Sequence, residues 1–219
     1  MRTSLMRAIA ASAVATVALA ACGGPVEGGP EAETIATLAT ETTDPKIAAE
    51  LARDKEEMAK VASEKPAFDA ALAANDTEAL EKLADEGNAW ALFHRGIARL
   101  DSHDFMLQQG GFEDLEAAAD HGLPEALIWV GQRKAYGKEG YKLQPNSGLI
   151  MMERAARRGN IEAMLAVAVM YEQDAYMHDQ KKARVWYQRA AEAGSPPAKD
   201  ALARLDGEAA GEGELPYEP

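Results

Sequence analysis

Residues 180–198 read QKKARVWYQRAAEAGSPPA. The first fourteen of these are helical in pattern, Gly194 stands where a helix ends, and Pro196 stands where another begins. Glycine adopts the left-handed conformation that closes a helix without strain. A proline near a helix start gives up an N–H that has no partner there anyway. The stretch therefore predicts a helix, a tight turn and a second helix.

The same punctuation recurs upstream. Glycines 87, 122, 159 and 194 are spaced by 35, 37 and 35 residues, and four residues after each comes an alanine: Ala91, Ala126, Ala163, Ala198. Nine residues after each comes a small residue, Gly96, Gly131, Ala168 or Ala203. The alanine pairs Ala118-Ala119, Ala155-Ala156 and Ala190-Ala191 precede the later three glycines, and Gly111, Gly148 and Ala183 stand eight residues before each pair's second alanine. Columns in register at a period near 36 residues are the mark of a repeat array. Helices are expected at 89–100, 124–136, 161–173 and 196–205, each after a glycine. Small residues at fixed places let neighbouring backbones approach, and Leu115, Met151 and Trp186 fill between them. The fold class expected is all-α, an α-solenoid of helix–turn–helix units.

The pattern Trp186-Tyr187-x-x-Ala190-Ala191-x-x-Gly194-x-x-x-Ala198 resembles the Sel-one-like repeat, a relative of the tetratricopeptide repeat. Val130-Gly131, Val167-Ala168-x-x-Tyr171 and Asp179 match further parts of that pattern. The resemblance covers residues 75–205 and is strongest in the last third. The first copy departs from it, with Arg95 in place of an aliphatic residue and Arg99 in place of tyrosine. The resemblance implies a concave face that binds other proteins or peptides. Some members with cysteine pairs in each unit have been linked to β-lactam hydrolysis, and this chain lacks those cysteines.

Residues 45–86 are expected to cap the array: a helix from Pro45 to Ser63, then a short pair at 67–74 and 77–85. The repeat proper is expected over 87–205, with loops at 101–110, 137–147 and 174–179 along one edge. Capping units with polar outer faces keep a solenoid soluble. The acidic stretch 206–219, DGEAAGEGELPYEP, is expected to be disordered, as is the Gly-, Pro- and Glu-bearing segment 22–44. As a tether the latter reaches roughly 25 Å.

Residues 1–22 read MRTSLMRAIAASAVATVALAAC. Two arginines and a short uncharged run fit a secretory signal over 1–21, too short to span a bilayer. Leu19-Ala20-Ala21-Cys22 resembles the lipobox of bacterial lipoproteins, which implies acyl chains on Cys22. Gly23 after the cysteine implies the outer membrane by the same resemblance. The competing reading is an ordinary cleaved signal with an incidental thiol. The expected location is the cell envelope, with the membrane touched only through the acyl chains.

Composition narrows the chemistry. The formal net charge is −13, and the chain beyond residue 21 carries −15 because residues 1–21 hold two arginines and no acid. Such a surface repels phosphate backbones, so no nucleic acid is expected. One cysteine excludes an intramolecular disulfide and Cys-rich metal sites. His94, His103, His121 and His178 show no zinc-ligand spacing, and Asp101-x-His103-Asp104 and His178-Asp179 read as solvated loops. No nucleophile elbow or Ser-x-x-Lys signature is present. No catalytic residue, metal or cofactor is assigned.

Offsets three, six, ten and fourteen from the repeat glycine give the expected partner groove. It comprises Trp90, Phe93 and Ile97, then Glu125, Ile128, Gln132 and Tyr136, then Glu162, Leu165, Val169 and Gln173. Aromatic anchors among acids and amides suit an extended peptide or a basic protein surface. The competing reading places Phe93, Ile128 and Leu165 in the core, and Trp129 and Trp186 are assigned there. The function expected is a non-catalytic scaffold, with a helical cell-wall or β-lactam hydrolase and a glycan-binding or regulatory envelope subunit as rivals.

Overall fold

The computed structural model describes residues 45–175 and 177–211, and these hold nine helices and no strand. The helices are α1 Pro45–Ala73, α2 Thr77–Asp85, α3 Ala89–Leu100, α4 Phe105–Asp120, α5 Pro124–Tyr136, α6 Pro145–Arg157, α7 Ile161–Gln173, α8 Gln180–Glu192 and α9 Pro196–Gly211. The expected signal (1–21), Cys22, the expected tether (22–44) and residues 212–219 lie outside the described residues. Each of α3/α4, α5/α6 and α7/α8 packs as a hairpin, and successive hairpins stack in chain order. None of the described helices is long and apolar enough to cross a membrane.

The turns between units explain the glycine and alanine columns. Gly87, Gly122, Gly159 and Gly194 take φ of 84°, 86°, 90° and 96°. Gly194 N–H donates to Ala191 O and Ser195 N–H to Ala190 O, and the same two bonds form at the other three glycines. The alanine pair thus supplies the carbonyls that a left-handed helix end satisfies. The residue after the glycine then starts the next helix. Asn88, Asn160 and Ser195 accept from the N–H groups of Ala91, Ala163 and Ala198. Leu123 has no such side chain, and Pro124 opens α5 instead.

The other small-residue columns are places of backbone contact. A Cβ on Gly111 would lie 2.9 Å from Gly96 O; one on Gly148 would fall on Gly131 O and 2.6 Å from Ala135 N. Ala168 and Ala183, fully buried, take these places in the third hairpin. A polar ladder joins the units. The acid six residues before a repeat glycine meets the side chain twelve residues after it: Glu81 with Arg99 at 4.0 Å, Glu116 with Lys134 at 2.9 Å, and Glu153 with the Tyr171 hydroxyl at 2.7 Å.

The largest departure from expectation is α1. The expected break before residue 67 does not occur, and one helix of 29 residues runs through Pro66. Pro66 removes one backbone bond, but it and Ala62, the residue whose carbonyl loses that bond, are both exposed. On the other side Val61, Phe68 and Ala71 form one buried stripe, and Lys65 pairs with Asp69 across the proline. Packing outweighs the lost bond. Helix α1 lies along the glycine turns: Asn88 Nδ2 and Ala89 N–H donate to Glu64, while Asp54 and Glu57 reach Arg154 of α6 and Arg158 beside the third turn glycine. Arg158, only 1% exposed, also donates to Gly122 O at 2.7 Å.

Three boundaries also move. Asp104 caps the N–H groups of Met106 and Leu107, so α4 starts at Phe105 and the loop expected over 101–110 shrinks to four residues. Pro145 opens α6 two residues before the expected loop end. The last helix continues to Gly211, six residues past Leu205, where disorder was expected. Leu205 is buried there, and Arg184 of α8 pairs with Asp206.

Candidate functional site

The helices that open each unit, α3, α5 and α7, carry the expected groove residues at equal offsets. The structure sorts them by burial. Ile128, 4% exposed, belongs to the core, so it offers no surface to a partner. Phe93, Ile97, Leu165 and Val169 are half-buried and packed against the core, and Glu125 and Gln132 are half-buried beside them. Tyr136 (44% exposed), Glu162 and Gln173 face solvent. The stripe is thus apolar at its floor and polar along its margins.

Its first member is already engaged. Trp90 Nε1 donates to Val61 O at 2.9 Å, the indole stacks on Phe68 with ring centroids 6.3 Å apart, and Lys65 Nζ lies 4.9 Å above it. Phe68 also meets the edge of His94 at 5.8 Å. Helix α1 therefore covers the α3 end of the stripe, and the open part runs over α5 and α7.

Position seven after the glycine, which the sequence reading leaves out of the groove, carries His94, Trp129 and Ala166 on this side of the array. Trp129 is half-buried rather than fully in the core, and the Arg133 guanidinium carbon lies over it, 3.4 Å from the ring centroid, while Arg133 binds Glu139 at 2.6 Å. The aromatic residues at this offset in the first two units are the signal that could have found it. Trp186 is buried as expected, and its ring carries Arg189 at 4.8 Å.

A second concavity, of about 280 Å³, lies between α4 and the segment 137–144. Phe112 and Tyr141 meet there edge to face at 5.4 Å, with Glu113, Glu116, Lys134 and Lys142 around them. Burial pushes the Tyr141 hydroxyl well above the usual phenol range. Burial also raises the pKa of the Tyr136 hydroxyl, with the charge of Asp174 adding to it.

The histidines stand apart. His94 lies on Phe68, His121 packs near Gly87, and His178 Nδ1 sits 2.7 Å from Glu172 O. Asp104 and Asp179 are helix caps. Among the described residues no group of three or more His, Cys, Asp or Glu is placed to hold a metal ion.

No family model matches the sequence, and a search of curated proteins returns no match. Solved structures do. A Sel1 repeat protein from Oxalobacter formigenes is 28% identical, with a TM-score of 0.53 over 59% of this chain and 98% of that one. A protective antigen of uropathogenic Escherichia coli that displays an SLR fold is 19% identical, with a TM-score of 0.51. The match covers 58% of this chain and 28% of the antigen, and it bears on the fold alone.

Proposed function

We propose that this chain, an array of Sel1-like repeats, is a non-catalytic scaffold that holds an extended segment of another protein across α5 and α7. The Sel1-like fold speaks for a protein-interaction scaffold in general. The finer reading rests on one observation: residues at equal offsets on successive first helices form a half-open stripe with an apolar floor (Leu165, Val169) and a polar rim (Tyr136, Glu162, Gln173). A buried apolar centre with a polar margin is how small protein interfaces are built. Glu162 on the rim and the formal charge of −13 favour a basic partner.

The test is site-specific photocrosslinking in the native envelope. A crosslinker at Tyr136 or Gln173 should trap one common protein, and a crosslinker at Lys199 on α9 should not. Equal capture from all three positions would remove the assignment to this face. Affinity should fall with rising salt if Glu162 and the net negative charge steer a basic partner.

The location belongs to the same proposal. Lipid attachment at Cys22 and residence in the envelope, at the periplasmic face of the outer membrane, are supported by the pattern of residues 1–23. Metabolic labelling with palmitate should mark the wild-type chain and leave Cys22→Ala unlabelled. Equal label in both would refute the anchor.

A further inference from the structure

On the outer side of the last full hairpin, α8 presents a patch of opposite sign to the rest of this acidic chain. Lys181, Lys182, Val185, Trp186 and Arg189 line a shallow hollow of about 320 Å³, with Asp179 at one end. Its cations lie on rings: Arg189 is 4.8 Å from the Trp186 centroid, and Lys182 is 4.9 Å from that of Tyr171. Lys182 meets Asp179 only at 3.7 Å. Val185, 48% exposed, supplies an apolar floor.

We propose that this hollow is the docking site of the chain's own residues 212–219, EGELPYEP, which therefore act as an intramolecular cover on α8. Complementarity is the first argument. The segment carries Glu212, Glu214 and Glu218 with no cation, and Leu215 and Tyr217 flank a proline that restrains the backbone. Reach is the second. Helix α9 runs back along α8, and the Arg184–Asp206 pair sets their register. Gly211, five residues on, then lies about 7.5 Å further toward the start of α8, level with Asp179 at the end of the hollow. Eight extended residues span up to about 26 Å, enough to cross the front of α8 to Val185 and Arg189. Tethering gives even a weak contact a high effective concentration.

Paramagnetic relaxation on the full chain tests this, with Cys22→Ser and Pro219→Cys carrying a nitroxide. Amides of α8 from Lys181 to Arg189 should lose intensity relative to the reduced label, and the rest of the array should not. Lys181→Glu with Lys182→Glu and Arg189→Glu, or high salt, should abolish the loss. Broadening that is absent, or spread evenly over the surface, overturns the proposal. So does broadening that appears only between labelled and unlabelled copies, which would make the site one between molecules.

Discussion

Eight and twelve residues after its repeat glycine, the first hairpin carries Arg95 and Arg99, where the third carries Val167 and Tyr171. Eight residues before the next glycine the first has Asp114 and the third has Trp186. These are the same three places in the two units. In the third hairpin they form an uncharged filling, with Val167, Tyr171 and Trp186 all buried and only the Tyr171 hydroxyl bonded to an acid, Glu153. In the first, Asp114 is only 6% exposed and takes two bonds from Arg95, at 2.9 and 2.8 Å, and one from Arg99, at 2.8 Å. Arg95 reaches on to Asp85 at 2.6 Å, and the Asp114 hydrogen bond, then Asp85 and Glu81, hold its guanidinium above its ordinary range. The second hairpin lies between, with Val130, Lys134 and Met151. One backbone architecture therefore accepts an ionic or an uncharged filling, provided that the three places change together.

The hardest test of that comparison is Asp114→Ala. It leaves two arginines partly buried with their central acceptor gone, and breaking such a cluster costs on the order of 3–5 kcal/mol. Urea unfolding should show the loss, with hydrogen exchange locating it in α3 and α4. The combined Arg95→Val, Arg99→Tyr and Asp114→Trp chain should behave differently. Replacing a buried ionic group by apolar residues is often neutral, or stabilising by about 1–4 kcal/mol. If the triple variant is as weak as Asp114→Ala, the two fillings are not equivalent and the comparison fails.

The sequence alone showed why the hairpins exist but not what fills the first one. Glycine and alanine columns are local signals, since a helix end, a cap and a close backbone approach each involve residues near in the chain. Helices α3, α5 and α7 accordingly fall at their expected bounds. Arg95 and Arg99 read as departures from the repeat because their compensation, Asp114, stands in another column of the other helix. The path of α1 was still less legible. Its contact from Asp54 to Arg158 joins residues 104 apart, and Pro66 signals a break that Val61 and Phe68 override by packing. The groove was legible as offsets, not as exposure. Whether a helix covers Trp90 depends on where α1 goes.

Smaller effects sharpen the part that all units share. Gly148→Ala places a methyl against backbone atoms of α5, which cannot swing aside as a side chain can. Overpacking of this kind costs about 1–3 kcal/mol, and unfolding midpoints should fall accordingly. Gly207→Ala is the control: nothing lies within 4 Å of a Cβ there. In an exposed helix this change should raise stability by roughly 0.5–1 kcal/mol. A harmless Gly148→Ala would mean that the small-residue columns do not set the hairpin spacing.

The smallest effect separates the first unit from the others by pH. Seven residues after the repeat glycine stand His94, Trp129 and Ala166, so only the first unit titrates at this place. Burial lowers the His94 pKa from its ordinary 6.5, with the charge of Glu81 opposing it. The fold thus favours the neutral ring that lies on Phe68. As pH falls below 6.5 the unfolded chain binds a proton that the folded one resists. Unfolded states that hold more protons make stability rise with pH. Stability should therefore drop on acidification from 6.5 down to the lowered value, and no further on this account. His94→Gln should remove that slope while leaving the loss at lower pH that protonated carboxylates cause. Unfolding midpoints at pH 7.5 and 5.5 measure it, and hydrogen exchange should place the change at the α1–α3 contact. An unchanged slope in His94→Gln would assign the pH response elsewhere and leave the Phe68–His94 contact without a part in it.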